Sequence, residues 1–186
     1  IALNDGVDTR KSIDNDMTPI RNLFNEFYCK DISKKVKTGR SVRASTGKYL
    51  GAYAPLGYIL NPDNRYEYLI DETGAEIVRK IFALRSQGKS ILGIATQLNS
   101  EGILTPRDYW YKLKGEPNPR KLSHKWSDVT VRGILSNEAY LGNMIQNKTG
   151  HISYKNKKIV LRPEEDWIRV DNTHEPIIDR ETWDRV

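Results

Sequence analysis

The positive charge of this 186-residue chain is concentrated in residues 30–48, hereafter the basic stretch. It holds seven basic residues against one acid, Asp31, and this balance of +6 equals the net charge of the whole chain. The basic residues are Lys30, Lys34, Lys35, Lys37, Arg40, Arg43 and Lys48. A solvated helix face normally mixes both signs of charge. The unmixed cluster therefore indicates an anionic partner, and its cations could neutralise the phosphates of a nucleic acid.

Small residues lie between these cations, among them Gly39, Ser41 and Ala44. They would let the backbone approach closely inside the minor groove of DNA, where negative potential is concentrated. If six phosphates were neutralised, log affinity would fall with log salt at a slope of about −5. The predicted DNA contacts of this region are Lys34, Lys35, Lys37, Arg40, Arg43, Lys48 and the neighbouring Tyr49.

Residues 127–136 carry side chains that can distinguish base pairs. On a helix, Asp128 and Arg132 share an outward face, where Arg132 could pair bidentately with guanine and Asp128 could accept from cytosine N4. Thr130 is assigned to the same surface, and Gly133 would allow close approach to a groove. Together with a short capped helix over residues 90–100, the segment is similar to a helix-turn-helix, although the connection is long. An ordinary packed helix pair explains the same pattern, so both interpretations stay open.

The segment 103–126 interleaves cations with aromatic rings, and we predict a long irregular loop there. Loops of this length are usually functional or disordered. Arg107, Lys121 and Lys125 are predicted to contact DNA. Trp126 is predicted to anchor the core instead, because it adjoins the helix that follows.

Residues suited to catalysis or metal binding are sparse. His124, His151 and His174 are far apart and lack the spacing of metal ligands. Cys29, the one cysteine, excludes a disulfide or a Cys-based zinc cluster within the chain. Phosphate loops, dinucleotide fingerprints and activated serines are absent from the sequence. We predict no catalytic residue, metal or cofactor here, and no membrane partner, because no apolar run approaches the ~20 residues that span a bilayer.

A long helix must position the basic stretch. Thr18 can cap it and Pro19 suits its first position, so residues 10–16 are predicted as a loop and residues 1–9 as the end of a strand. Helical spacing then defines an apolar stripe that reaches residue 36, and no regular apolar face follows it in the rest of the basic stretch. Beyond residue 36 the glycine, serine and threonine content predicts fraying. The apolar stripe comprises Ile20, Leu23, Phe24, Phe27, Tyr28, Ile32 and Val36.

The rest of the chain alternates short strands and capped helices. Two strands are predicted around residues 61–64, followed by helices 71–87, 90–101 and 127–136, capped by Asp71, Ser90 and Ser127. Four short strands between residues 139 and 172 are predicted to form one small antiparallel sheet, and a last helix begins near Glu181. The predicted fold class is mixed α+β: a long N-terminal helix, then a small helical, helix-turn-helix-like domain with a short antiparallel sheet.

Five segments in this order resemble the large serine recombinases, the serine integrases and transposases of phages and mobile elements. They are NDGVDT, TPIRNLFNEFYCKDISKKVKTG, GKYLGAYAPLGY, KWSDVTVRGILSNEAYLGN and NTHEPIIDRETW. The resemblance covers essentially the whole chain and is carried most specifically by the segment from Gly51 to Tyr58 and by Trp126 with the residues that follow it. Leu56 departs from the family, whose members often carry an aromatic residue there.

The resemblance implies three parts. Residues 1–16 would be the end of a truncated catalytic domain, 17–48 a long basic linker helix, and 49–186 the recombinase DNA-binding domain. The nucleophilic serine would lie upstream of Ile1 and structural zinc beyond Val186, so this fragment would not be an enzyme. Without the catalytic domain, the apolar stripe would be exposed or covered by self-association.

The implied function is recognition of an attachment half-site on double-stranded DNA during integration or excision of a mobile element. The implied partners are further recombinase subunits, and the implied location is the cytoplasm of a bacterium, on its nucleoid. Two other classes use the same features: a sequence-specific transcription regulator with a helix-turn-helix-like module, and a module that binds RNA or a membrane surface.

Overall fold

The computed structural model describes residues 12–119, 124–153 and 155–186. Helix α1, Ser12–Ser45, has 34 residues and is about 51 Å long at 1.5 Å per residue. It begins six residues before the predicted start at Thr18, so the loop predicted over residues 10–16 is helical from Ser12 onwards. Pro19 lies inside the helix. One residue of low helix propensity does not end a helix that its neighbours support. The strand predicted over residues 1–9 lies outside the described residues.

The second half of α1, where fraying is predicted from the sequence, is helical in the structure. The helix continues through Gly39 to its end at Ser45, and a turn follows at Gly47, whose φ is +76°. The amide of Gly47 donates to the carbonyl of Ala44 over 3.0 Å, and the Ser45 hydroxyl donates to the carbonyl of Val42 over 2.8 Å. These bonds satisfy carbonyls that the last turn would otherwise leave unpaired.

The apolar stripe on α1 is exposed along its whole length. All seven of its side chains are solvent-exposed, with Phe24 the most accessible at 69%. The single chain therefore leaves the stripe uncovered, and self-association, the other state expected from the resemblance, stays a prediction. The helix packs against the rest of the protein near its C-terminal end, where Ala44 is buried and α1 contacts residues of the strand β6, Ile168–Val170. Further towards its N-terminal end, Glu26 forms an ion pair with Lys155, 2.5 Å apart.

Between α1 and the core lies a two-stranded antiparallel sheet, β1 (Tyr58–Leu60) with β2 (Tyr68–Ile70). Helices α2 (Glu72–Ser86) and α3 (Ile91–Ser100) follow. Asp71 and Ser90 cap them as predicted: each side chain accepts a hydrogen bond from the amide three residues on.

The predicted loop 103–126 contains a helix, so that prediction was wrong in part. Helix α4 spans Pro106–Lys114. Thr105 caps it by accepting from the amide of Asp108 over 3.3 Å, Pro106 occupies the first position, and Gly115 ends it at a φ of +69°. These start and stop signals are present in the sequence, but the density of charged and aromatic residues obscured them.

Helix α5, Asp128–Leu135, is capped by Ser127 as predicted. A 3₁₀ turn over residues 138–141 leads into strands β3 (Met144–Gln146) and β4 (Thr149–His151), followed by β5 (Ile159–Leu161) and β6. Helix α6, Arg180–Asp184, is the last element.

The four C-terminal strands form two separate antiparallel pairs instead of the single sheet predicted. β3 pairs with β6, and β4 pairs with β5. Asn147, between β3 and β4, has a φ of +64°, a left-handed conformation that interrupts a strand. The β4–β5 hairpin therefore leaves the β3–β6 pair and exposes Ile159 and Leu161.

One core joins α2, α3 and α5 to the first sheet. Phe82, Ile94, Val131 and Tyr140 are among its fully buried side chains. Leu56, where the family often carries an aromatic residue, is buried in this core. In the described part of the chain, no helix is both long and apolar enough to cross a bilayer.

Candidate nucleic-acid interface

The cations of the basic stretch are exposed, and almost none is neutralised by the protein. Lys35 pairs with Asp31 on the next turn, 2.7 Å apart. The other six have no carboxylate partner among the described residues. Lys48 lies 5.7 Å from the centre of the Tyr66 ring, a cation–π contact. Such a surface carries uncompensated positive charge, as a phosphate-binding surface requires.

The basic stretch does not form a single surface. Lys37, Arg40, Ser41 and Ala44 follow the spacing i, i+3, i+4, i+7 and so share one helix face. This face lines a cleft of about 520 Å³, hereafter the basic cleft. Lys35 and Arg43 are not among the residues that line this cleft, although Arg43 is three positions from Arg40 and so neighbours it on the helix surface.

The opposite wall of the basic cleft comes from residues more than 100 positions further along the chain. Lys148 and Arg162 contribute cations, and His151 lies on β4 at the same cleft. None of the described residues that line the cleft is an aspartate or glutamate. Sequence analysis did not assign Lys148 or Arg162, because nothing local marks two scattered cations as neighbours of a distant helix.

Gln146 fastens the end of the basic stretch to this wall. Its side-chain oxygen accepts from the amide of Leu50 over 2.9 Å, and its side-chain nitrogen donates to the carbonyl of Lys48 over 2.8 Å. The segment 48–50 is thereby held against β3, which sets where α1 lies relative to the cleft.

Tyr49 lies between the cleft and the core. Its amide donates to the carbonyl of Tyr66 over 2.9 Å, and its ring centre is 4.7 Å from that of Tyr68. Burial raises the pKa of the Tyr49 phenol. The hydroxyl donates to the carbonyl of Tyr53. Tyr49 lines the basic cleft together with Lys37 and Arg40, two of the cations that are predicted with it to contact DNA.

Helix α5 presents a polar face to solvent while its other face enters the core. Val131 and Ile134 are buried, and α5 packs on α3 as predicted. Asp128 and Arg132 are both exposed, and Val129 is 73% exposed. Neither charged side chain forms an ion pair with another described residue. Space is open above Gly133, where an added Cβ would meet no atom within 4 Å.

Thr130 serves the helix cap. Its amide donates to the Ser127 hydroxyl over 3.3 Å, and the two hydroxyl oxygens are 3.0 Å apart. The entry to α5 is fixed further by Asn99 on α3, which accepts from the amide of Trp126 over 2.8 Å and donates to its carbonyl over 3.0 Å.

Trp126 anchors the core as predicted. It is 4% exposed, and its indole nitrogen donates to the carbonyl of Ile103 over 2.9 Å. Because α4 occupies the connection, α3 and α5 form a packed pair without the tight turn of a helix-turn-helix.

The remaining predicted contacts lie at other cavities. Arg107 is exposed on α4 and lines an aromatic pocket of about 310 Å³ with Tyr53 and Trp110. Lys125 is exposed and lines a separate cavity of about 510 Å³. The structure therefore does not bring Arg107 or Lys125 into the basic cleft. Lys121 lies outside the described residues.

The histidines have ordinary structural partners. His124 Nδ1 is 2.6 Å from an Asp108 carboxylate oxygen, and His151 Nδ1 is 2.7 Å from the carbonyl of Lys157. Burial raises the pKa of Asp108, but hydrogen bonds from Asn118, Thr105 and His124 outweigh it and lower that pKa overall.

His174 is half-buried, with Nε2 2.7 Å from the carbonyl of Ala139, and burial lowers its pKa. Cys29 is exposed on α1, and within the described ranges no three His, Cys, Asp or Glu side chains are grouped to hold a metal ion. These residues do not fit a zinc centre.

This chain is similar to one protein family and to several solved structures, two of which follow. A protein-family model described as Recombinase matches residues 72–186. A solved structure described as "Crystal Structure of a LSR-DNA Complex" aligns with this chain at 18% sequence identity and a TM-score of 0.49. The alignment covers 81% of this chain and 37% of the chain in that structure. A second structure, described as "Sequence Requirements of the Listeria innocua prophage attP site", aligns at 20% sequence identity and a TM-score of 0.49. That alignment covers 81% of this chain and 48% of the chain in that structure. The chain spans less than half the length of either.

Proposed function

Because this chain belongs to the Recombinase family through residues 72–186, we propose that it is the DNA-binding portion of a large serine recombinase and recognises an attachment half-site. Membership of the family agrees with the resemblance drawn from the sequence. The half-site assignment rests on the surface of this chain, as follows.

The observation that carries the proposal is the unneutralised charge on α1. Six of the seven cations in the basic stretch lack a carboxylate partner among the described residues. Adjacent charges of one sign repel, so such a surface costs stability unless an anion neutralises it. Double-stranded DNA supplies a regular array of phosphates, and releasing its counterions favours binding.

The two surfaces divide the work of binding. The basic stretch contacts the sugar-phosphate backbone and contributes affinity without sequence preference. Arg132 and Asp128 on α5 contact base edges and contribute specificity. Thr130 holds the cap of α5, so its contribution is to position that helix.

The parent protein would carry out the chemistry outside this segment. In that proposal, residues 1–16, 17–48 and 49–186 belong to three functional parts. A serine upstream attacks a DNA phosphate and forms a 5′-phosphoserine link, while the bond from that phosphorus to the 3′ oxygen breaks. The serine–DNA link breaks again when the exchanged ends rejoin. Structural zinc would be bound beyond Val186, other subunits would assemble on the DNA, and the protein would act in the cytoplasm of a bacterium.

Selection of bound duplexes from a random DNA pool tests the proposal. We expect one enriched half-site, and a footprint confined to one side of a short crossover dinucleotide in the matching element boundary. A footprint symmetric about a palindrome would favour a transcription regulator. Tighter binding to RNA or to anionic vesicles than to any duplex would overturn the proposal.

A further inference from the structure

We propose that the basic cleft is a binding site for the phosphate backbone of duplex DNA, in which Lys148 and Arg162 act with Lys37 and Arg40. This inference rests on the proposed function, because it takes duplex DNA as the polyanion. It extends the contact surface from α1 to the second pair of C-terminal strands, so that the backbone would be held from two sides.

The guanidinium of Arg162 is placed by the fold and left without a partner. An added Cβ at Gly150 would lie 2.6 Å from Nη2 and 2.7 Å from Nε of Arg162, so the guanidinium packs closely over the Gly150 backbone. The Arg162 amide donates to the carbonyl of Lys148 over 2.9 Å. Within the described ranges its guanidinium makes no ion pair or hydrogen bond. A planar, oriented, unpaired guanidinium matches the geometry of a phosphate group.

Lys148 is oriented by an aromatic ring on the same wall. Its Nζ lies 4.9 Å from the centre of the Trp167 ring, and the indole nitrogen of Trp167 donates to the carbonyl of Arg162 over 3.0 Å. The two cations therefore share a support, and neither is neutralised by a carboxylate of the described chain. Cation–π contact holds the ammonium in place without removing its charge.

The arrangement suits a polymer better than a small ion. Lys37 and Arg40 are about one helical turn apart, so the cations are spread along the cleft instead of converging on one point. The volume of about 520 Å³ accommodates sugars as well as a phosphate. Because no described carboxylate lines the cleft, it repels no part of an anionic strand.

Arg162→Ala tests the cleft, with Arg169→Ala as the matched control. Arg169 is an exposed arginine on β6 that already pairs with Glu138 and Asp171, at 2.7 and 2.9 Å. In fluorescence anisotropy with the selected half-site duplex, Arg162→Ala should weaken binding about tenfold. It should also reduce the magnitude of the salt slope by about one, whereas Arg169→Ala should change neither.

Gly150→Ala provides a second variant that leaves every charge in place. Its Cβ would displace the Arg162 guanidinium, so affinity should fall in the same direction. In an Arg162→Ala background the same change should have no further effect, because the displaced group is then absent. Ethylation interference should show that Arg162→Ala loses at least one phosphate contact that the unsubstituted chain makes.

The outcomes separate the two proposals. If the unsubstituted chain binds no duplex DNA, both proposals are overturned. If the unsubstituted chain binds duplex DNA, and Arg162→Ala and Arg169→Ala have the same affinity and salt slope, only the proposal for the basic cleft is overturned. Retention of the salt slope by Arg162→Ala, with lowered thermal stability, would also overturn it by assigning Arg162 a structural role. Inorganic phosphate that competes at low concentration would indicate a small-anion site instead of a backbone site.

Discussion

Replacing Gln146 by alanine should loosen the junction between α1 and the rest of the protein. The side chain makes two hydrogen bonds to the backbone of residues 48 and 50, at 2.8 and 2.9 Å. Each contributes about 1 kcal/mol net, so the variant should lose about 2 kcal/mol of stability. For a chain of this length that corresponds to a fall of about 4–8 °C in Tm.

Thermal unfolding followed by tryptophan fluorescence measures the global effect, and amide hydrogen exchange locates it. The Leu50 amide donates to Gln146 and should lose protection first. Gln97→Ala is the matched control, because among the described residues the Gln97 side chain hydrogen-bonds only to the side chains of Lys89 and Glu101. That variant should leave the exchange of Leu50 unchanged.

Two results together would refute a stabilising role for the Gln146 hydrogen bonds. They are a Tm of Gln146→Ala equal to that of Gln97→Ala, and a Leu50 amide that stays protected from exchange in Gln146→Ala. That result would mean that the buried contact of Ala44 holds the junction without the two hydrogen bonds. DNA affinity should fall with the stability, because a loosened α1 no longer presents its cations at a fixed distance from the opposite wall of the basic cleft.

Arg132→Ala should relax base preference at one position of the half-site by about 1–3 kcal/mol; unchanged relative affinities across sequence variants would contradict the assignment. Lys37→Ala should weaken binding to all duplexes alike and reduce the salt slope by about one, and a sequence-dependent loss would count against a phosphate contact. Burial lowers the pKa of His174 in the folded protein, so the unfolded chain binds this proton more tightly than the folded one. Its contribution to stability is thus complete above the unfolded pKa of about 6.5 and decreases as the pH falls below it. Tm should decline from pH 7.5 to 5, and less steeply in His174→Gln.

The helix ends were the most predictable part of the structure. Asp71, Ser90 and Ser127 cap α2, α3 and α5 as expected, because capping depends on a side chain and an amide three residues apart. The same local logic would have found α4 from Thr105, Pro106 and Gly115. The start of α1 was less predictable, because Pro19 is suited to the first position of a helix but lies inside a longer one.

The sequence by itself determined the excess charge of residues 30–48, the apolar stripe on α1, and the faces of α2, α3 and α5 that enter the core. These follow from composition and from the helical period, which act over a few residues. Only the tertiary structure decided that the four C-terminal strands form two pairs, and that Arg162 and Arg40 line the same cleft. Both depend on contacts between residues that are distant in the chain. The left-handed turn at Asn147 and the fastening by Gln146 set these contacts, and no local pattern encodes them.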